Sequence, residues 1–252
     1  MIKDIEFFFK SIFFSEKYLL EKRLKRAIKK NYEKELSIID TFKDDDKDAI
    51  DVGVYRGVYS YELSKKFKHV HSFEPNPILF PYLKKNLTKI IKNMTLYNYA
   101  LSKENIFTNL KIPRRGKSIF NKNIEEIYKL GCATIHEKNN FENYTNYKVE
   151  CKKLDDVIND KKIGFIKIDV EGHELSVIQG AMNTINKYKP VLLVEIEEKH
   201  TKKPVIETVK YITNLGYGIY HLENNSIKKI LNEKIFLNER NFIFIKVYPK
   251  IF

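Results

Sequence analysis

Short apolar runs alternate with helical patterns along most of this chain, and the alternation predicts an α/β domain. Apolar runs of roughly four to eight residues predict strands, and apolar positions that repeat every three or four residues predict helices. The predicted strands cover 49–53, 69–73, 95–101, 163–170, 191–196, 218–222 and 242–247, with 107–112 as a further candidate. The predicted helices cover 59–67, 78–91, 153–158, 174–186 and 205–215. This order favours a parallel sheet covered on both faces; the last two strands, with no helix between them, are expected to pair antiparallel.

Residues 1–46 have a helical pattern of their own, and the polar run 43–48 separates them from the rest. We therefore expect an N-terminal helical extension at 1–46 and one domain at 47–252. Asp4 and Glu6 stand where a signal peptide carries basic residues, so no secretory signal is predicted. The basic amphipathic helix is expected to pack on the domain or on a second copy, and peripheral membrane association is the alternative.

Composition narrows the class of protein further. The chain has 252 residues, and Cys132 and Cys151 lack the spacing of a zinc site. Few cysteines and no secretory signal predict a cytoplasmic protein, with the inner face of a membrane left open. The net charge is +13, but the sequence is rich in Lys, Asn and Ile and has no Trp. This bias is typical of an AT-rich genome, so the charge alone does not predict a nucleic-acid partner.

The first candidate site lies where the first strand meets the first helix of the domain. Asp51, Gly53 and Gly57 stand at this turn, and Glu74 ends the next strand. A glycine lets the backbone approach a ligand, and an acid about 20 residues further on accepts hydrogen bonds from ribose hydroxyls. The spacing therefore predicts a nucleoside site. The dinucleotide fingerprint would need glycines where Tyr55 and Val58 stand, which disfavours NAD and FAD. An acid directly ahead of the glycine loop suits a ligand with a positive charge or an ammonium group, and S-adenosylmethionine (SAM) carries both.

Two further groups of polar residues follow later strands. Asp169 and Glu171 stand at the carboxyl end of the strand 163–170, with His173 just after them. Glu195 stands at the end of the strand 191–196, with His200 just beyond it. Because the carboxyl ends of parallel strands meet at one edge, these residues are expected to share a crevice. Two histidines beside strand-end acids are a reasonable general-base or metal constellation. The residues leave both interpretations open.

The chain resembles the FkbM-type family of SAM-dependent methyltransferases, and the matching blocks span about residues 48 to 247. One departure is Val54-Tyr55, where the glycine loop of that family commonly has Ala-Asn. The block Ile166-Lys-Ile-Asp-Val-Glu-Gly-His-Glu174 is the most specific of the matches. The others lie at 51–57, 72–77, 98–102, 153–156, 180–181, 194–196 and His200.

The resemblance implies the class I methyltransferase fold, a seven-stranded, mostly parallel sheet with an antiparallel last strand. It also implies SAM as methyl donor and a hydroxyl acceptor on a sugar, glycolipid, polysaccharide unit or similar natural product. By the same resemblance, these residues are expected to contact the cofactor: Asp51, Gly53, Tyr55, Gly57, Glu74, Asn98, Ala100, Leu101 and Asp169. The residues expected at the reaction centre are His173, Asp169, Glu171, Glu195 and His200.

For the reaction itself, we expect His173 to act as the base, oriented by Asp169 or Glu171, with His200 as second choice. A magnesium ion held by Asp169 and Glu195 is the alternative, because hard oxygen ligands suit it. The acceptor is not readable, although the polar stretch 113–147 is the expected place for its contacts. RNA ribose methylation and a non-catalytic partner or scaffold role are the rival functions.

Overall fold

The computed structural model describes residues 14–114, 130–136, 141–201 and 204–247. Its centre is an eight-stranded sheet with the order β10-β9-β11-β8-β7-β1-β2-β3. The strands are β1 Asp48–Val52, β2 Val70–Phe73, β3 Met94–Tyr97, β7 Ile163–Ile168, β8 Val191–Glu195, β9 Tyr217–Glu223, β10 Ser226–Lys229 and β11 Asn241–Lys246. Strands β3, β2, β1, β7 and β8 are parallel, and β11 is antiparallel to both β8 and β9. The expected α/β sheet and its antiparallel end are confirmed.

Helices cover both faces of this sheet. The helices are α1 Glu16–Lys29, α2 Val58–Leu63, α3 Phe80–Ile90, α4 Leu154–Val157, α5 Glu174–Gln179, α6 Met182–Tyr188, α7 Glu198–Thr201 and α8 Val205–Asn214. Side chains of α1, α2 and α3 pack in one core cluster, which also includes Ala49 and Phe165 of the sheet. Side chains of α5, α6 and α8 pack in the other, which includes Ile50 and Ile166. Neighbouring residues of β1 and β7 thus face opposite cores, as the two-residue period of a strand requires.

A second, three-stranded sheet has the order β4-β6-β5, with β4 at Ala100–Leu101, β5 at Ile106–Pro113 and β6 at Tyr144–Lys152. The single strand predicted at 95–101 is therefore two strands in different sheets. The loop predicted at 113–146 was too long, because β6 begins at Tyr144 and pairs with β5. Much of that stretch, at 115–129 and 137–140, lies outside the described residues.

Two other boundaries differ from the prediction. The helix predicted at 174–186 is interrupted at Gly180, where an added Cβ would lie 2.0 Å from the carbonyl oxygen of Ser102. The main sheet has eight strands rather than seven, because β10 forms a hairpin with β9. Asn224 and Asn225 make its turn at positive φ, a conformation that asparagine tolerates better than most residues.

The described part of the N-terminal region is docked on the domain. Leu20 and Leu24 of α1 are buried in the core with α2 and α3. The Glu16 carboxylate lies 2.9 Å from Lys85 Nζ and accepts a hydrogen bond from Asn86 Nδ2, both on α3. The apolar positions before residue 14 lie outside the described residues. In the part of the chain that the structure describes, no helix is long and apolar enough to cross a membrane.

The docking of α1 predicts a large contribution of Leu24 to stability. Leu24 is 1% exposed, so Leu24→Ala should lower the free energy of unfolding by about 2–5 kcal/mol. Urea unfolding at 25 °C measures this value. Lys22→Ala on the exposed side of α1 is the control, expected within about 0.5 kcal/mol of wild type. An equally small effect of Leu24→Ala would mean that α1 does not pack as described.

Candidate active site

The parallel strands bring the predicted polar residues to one edge of the sheet. Gly53 follows β1, Glu74 follows β2, Asp169 follows β7, and Glu195 is the last residue of β8. Asp51, Lys167 and Glu195 lie on the face that α1, α2 and α3 cover, since they alternate with residues of the opposite core. The predicted gathering of strand-end acids is therefore observed.

Gly53 allows β1 and β7 to meet at this edge. Its φ is +90°, and a Cβ at this position would lie 1.9 Å from the carbonyl oxygen of Asp169. The Asp169 N–H donates to the Val52 carbonyl, and the Gly53 N–H donates to the Phe73 carbonyl. Any larger residue would push the strand ends apart, so this glycine places the Asp169 backbone beside the turn.

Glu74 is held at the carboxyl end of β2 by backbone donors. Its Oε2 accepts from the Tyr55 N–H at 2.9 Å, and its Oε1 accepts from the Asn76 N–H at 3.0 Å. Burial raises the pKa of Glu74 to about 7. Each carboxylate oxygen has a second lone pair, so Glu74 retains the capacity to accept hydrogen bonds from two hydroxyl groups of a ligand.

The first of two adjoining cavities lies beside Glu74. Its walls are largely apolar and aromatic, and its volume is about 80 Å³. The lining includes Val52, Gly53, Tyr55, Phe73, Glu74, Tyr99, Ala100, Leu101, Leu110, Ile135, Asp169, Glu171 and His173. Ligand pockets usually enclose roughly 300–1,000 Å³, so this crevice is small for a cofactor. Gly131 and Tyr55 meet on its wall, because a Cβ on Gly131 would lie 3.0–3.2 Å from ring carbons of Tyr55.

A second cavity of about 730 Å³ lies on the α1 side of the same edge. Gly53, Tyr55 and Asp169 line both cavities. These three residues therefore stand where a ligand in the first cavity and a ligand in the second would meet.

Asp169 is paired with a buried lysine. Lys167 is 1% exposed, and its Nζ lies 3.2 Å from Asp169 Oδ2 and 4.7 Å from the centre of the Tyr59 ring. Burial alone would lower the pKa of Lys167, but the charges of Asp169, Asp51 and Glu195 outweigh burial and raise it. Lys167 is therefore an ammonium at neutral pH, and its charge offsets that of the surrounding acids.

Burial also shifts the pKa values of the two other acids near Lys167. Burial raises the pKa of Asp51 to about 6, and burial together with the charge of Asp169 raises the pKa of Glu195 to about 8. Among the described residues, no group of three or more His, Cys, Asp or Glu side chains is arranged to hold a metal ion. The structure thus gives no support to a magnesium ion held by Asp169 and Glu195.

His173 has a different partner from the expected one. Its Nε2 lies 2.9 Å from Ser102 Oγ, whereas Asp169 pairs with Lys167 and Glu171 pairs with His200. Burial, and to a smaller extent His136 and Lys103, lowers the pKa of His173 to about 4. The ring is therefore neutral at pH 7 and a weak base, although it does line the first cavity.

A contact between Glu171 and His200 joins the segments that follow β7 and β8. His200 Nε2 lies 2.8 Å from Glu171 Oε2, and Glu171 has the unusual φ of +55°. The next residue, Gly172, has a φ of +107°, and a Cβ there would lie 2.8 Å from the carbonyl oxygen of His200. His200 lines neither of the two cavities, so its observed role is to hold the Glu171 turn.

Besides His200, four predicted site residues lie away from both cavities. Asp51 is buried and accepts a 2.5 Å hydrogen bond from Ser60 Oγ of α2, so it anchors that helix. Gly57 has a φ of +79°, and a Cβ there would lie 2.5 Å from Leu87 Cδ2, so this glycine allows α3 to pack closely against the start of α2. Asn98 is an exposed turn residue, and its neighbour Tyr99 takes the place on the cavity wall. Glu195 stays beside Lys167 and lines neither cavity.

Sequence reasoning also missed residues that the structure places here. Ser102, Tyr99 and Lys167 carry no periodic signal that separates them from ordinary core or turn residues. One signal was present for Lys167, which is the single charged residue in an otherwise apolar strand. A charge at a buried position requires a partner, and Asp169 two residues later stands on the same face.

Comparisons with known proteins identify the family to which the chain belongs. The methyltransferase FkbM domain matches residues 51–219 of the chain. Methyltransferase sdnD of Sordaria araneosa is 25% identical over 196 residues, covering 68% of this chain and 73% of that protein. The solved structure of Methyltransferase FkbM from Methylobacillus flagellatus KT is 19% identical with a TM-score of 0.51. That match covers 79% of this chain but 44% of the other, so this chain spans less than half of that relative, and the likeness is one of fold.

The raised pKa of Glu174 predicts a pH-dependent variant. Its Oε1 accepts from the Gly172 N–H at 2.9 Å, and burial raises its pKa from 4.5 to about 7. Between these two values the unfolded state ionises while the folded state stays protonated, so the wild-type free energy of unfolding falls as pH rises. Glu174→Gln keeps the acceptor and removes this loss.

We therefore expect Glu174→Gln to match wild type near pH 4, below both pKa values, and to exceed it by more than about 1 kcal/mol at pH 8, as measured by urea unfolding. The exposed Glu104→Gln serves as control, with no pH-dependent difference expected. An equal difference between Glu174→Gln and wild type at both pH values would contradict the burial of an ionisable Glu174.

Proposed function

Because the chain belongs to the FkbM methyltransferase family, we propose that it transfers a methyl group from SAM to a hydroxyl oxygen. The proposed acceptor class is a sugar, a glycolipid or polysaccharide unit, or a similar natural product. The main sheet has the class I methyltransferase fold, with β10 as an added eighth strand. The observation that carries the proposal is the placement of Glu74 and Asp169 on one cavity wall at the carboxyl edge of this sheet.

The residues of the first cavity fit SAM by their chemistry. Glu74 offers acceptors for the two ribose hydroxyls, and Tyr99, Ala100 and Leu101 offer an apolar wall for the adenine. The volume of about 80 Å³ requires Gly131 and the Tyr55 ring to separate when the cofactor enters. Bound SAM would supply a methyl group that is already activated on a sulfonium.

With an activated donor, the protein has to align the acceptor and receive its proton. We assign the proton to Asp169 rather than to His173. Asp169 lines both cavities, and Lys167 holds its carboxylate in place at 3.2 Å. His173 lines only the first of the two, and its Nε2 is already engaged with Ser102. The buried, weakly basic His173 then serves to hold the start of α5 against Ser102, the residue that follows β4.

Cofactor binding is tested by calorimetric titration with S-adenosylhomocysteine (SAH). Glu74→Ala should weaken the dissociation constant by tenfold or more, about 1.4 kcal/mol, because two hydroxyl acceptors are lost. Asn98→Ala is the matched control: Asn98 was predicted to contact the cofactor but lies outside the cavity, so less than a twofold change is expected. Failure of the folded wild type to bind SAH would remove the methyltransferase proposal and favour the scaffold role.

The reaction is tested with methyl-labelled SAM and a screen of sugars, glycans and lipid-linked sugars. A product that keeps its label after alkaline treatment is a methyl ether, as hydroxyl transfer requires, whereas a methyl ester loses it. On the acceptor found, Asp169→Asn should lower kcat by about 10²–10⁴ while the SAH dissociation constant changes little. His173→Asn, with the same replacement, should lower kcat by less than tenfold. The reverse order of the two effects would return the base to His173.

A further inference from the structure

The larger cavity is built mainly by elements outside the cofactor site. It lies between α1, the segment that follows α1, the turn after β1, and α3. Its polar wall carries Arg23 and Arg26 of α1 and Arg56 of the glycine loop. Its aromatic wall carries Tyr32, Tyr59 and Tyr82. A volume of about 730 Å³ is within the usual range for a ligand site.

This cavity combines room for a ligand with access to the transfer point. It shares Gly53, Tyr55 and Asp169 with the first cavity. A groove of about 840 Å³ between residues 31–35 and the region after β8 is not lined by Asp169. A cavity of about 300 Å³ at Ser102 and His136 is smaller and also lacks Asp169 on its wall. A second reactant that must reach Asp169 therefore fits best in the cavity under α1.

The charges of the wall indicate what kind of molecule fits. The acids on the wall are Glu33 and Asp169, and Lys167 on the same wall pairs with Asp169. The wall therefore carries four basic side chains, Arg23, Arg26, Arg56 and Lys167, against two acidic ones. Arg23 and Arg26 are three residues apart on α1, so they share one side of the helix. Guanidinium groups bind phosphate and carboxylate through paired hydrogen bonds, which makes an anionic ligand the complementary one.

We infer that the cavity under α1 is the acceptor site and that the acceptor carries a phosphate or carboxylate group, which Arg23, Arg26 and Arg56 bind while its hydroxyl reaches Asp169. The inference rests on the proposed function and narrows its substrate class to anionic sugars or their conjugates. Tyrosine rings, with an apolar face and a polar edge, suit the remainder of such a molecule. An acceptor site at this place gives α1 a role in substrate binding in addition to its packing on the domain.

The test is calorimetric titration of the full chain, with and without saturating SAH, using glucose 6-phosphate, glucuronate and glucose as probes. At least one of the two anions should bind tenfold or more tightly than glucose. Glucose 6-phosphate alone would assign phosphate, and glucuronate alone would assign carboxylate. Equal binding of glucose, or no binding of either anion at concentrations up to about 20 mM, would overturn the inference.

Two double variants on the same helix make the test specific. Arg23→Gln/Arg26→Gln should abolish the preference for the anion. Lys22→Gln/Lys29→Gln removes the same charge from exposed positions of α1 that do not line the cavity, and should keep the preference. An equal loss in both variants would indicate general electrostatic attraction and would contradict a defined site.

SAH has a carboxylate of its own, so the arginines could bind the cofactor instead of the acceptor. A further measurement distinguishes these two assignments. The arginine variant should bind SAH and 5′-methylthioadenosine, which lacks that carboxylate, within twofold of wild type. A tenfold loss for SAH alone would assign the arginines to the cofactor and overturn the acceptor assignment. If wild type fails to bind SAH but still prefers the anion, the proposed function fails while the anion site stands.

Discussion

The ends of β1 and β7 lie so close that only a glycine fits between them. A Cβ on Gly53 would lie 1.9 Å from the Asp169 carbonyl oxygen, and the two strand ends are joined by the Asp169 N–H and the Val52 carbonyl. This contact sets the position of every other part of the site. It places the Asp169 carboxylate at the junction of two cavities and turns the chain toward Tyr55, whose N–H then reaches Glu74.

Several ionisable side chains are buried around this contact, although such groups usually lie in water. Lys167 is enclosed with Asp51, Asp169 and Glu195, and the pKa values of Asp51 and Glu195 are raised because burial disfavours their charged forms. A buried lysine without these acids would carry a desolvation penalty of several kcal/mol. Burial of these charges lowers the stability of the fold. In return, Lys167 holds the Asp169 carboxylate at a fixed place on the cavity wall.

Much of the fold follows from the sequence, because alternation of strand and helix patterns and the positions of Gly53, Glu74 and Asp169 are local signals. The second sheet was harder to predict from the sequence. β4 has two residues, and β6 begins in a polar stretch whose apolar positions have no partner until β5 is placed beside it. The parallel strand order predicted that the acids gather at one edge of the sheet, but the sequence could not separate Asp51 and Gly57, which contact α2 and α3, from Glu74, which lines the cavity. Nor could it pair His173 with Ser102, since 71 residues separate them and only the approach of Gly180 to the Ser102 carbonyl joins their segments.

Tyr55 is the residue at which this chain departs from the usual glycine loop, and its position links the two cavities. Its backbone has a left-handed φ of +48°, its N–H donates to Glu74, and its ring packs on Gly131 while the Arg56 guanidinium lies 5.0 Å from the ring centre. The ring also lines the cavity under α1, so one side chain forms part of both walls. Two ligands that move the same side chain are thermodynamically coupled, because each alters the free energy at which the other binds. Under the proposed function, a cofactor that displaced the Tyr55 ring would therefore also change the cavity that the acceptor is proposed to occupy.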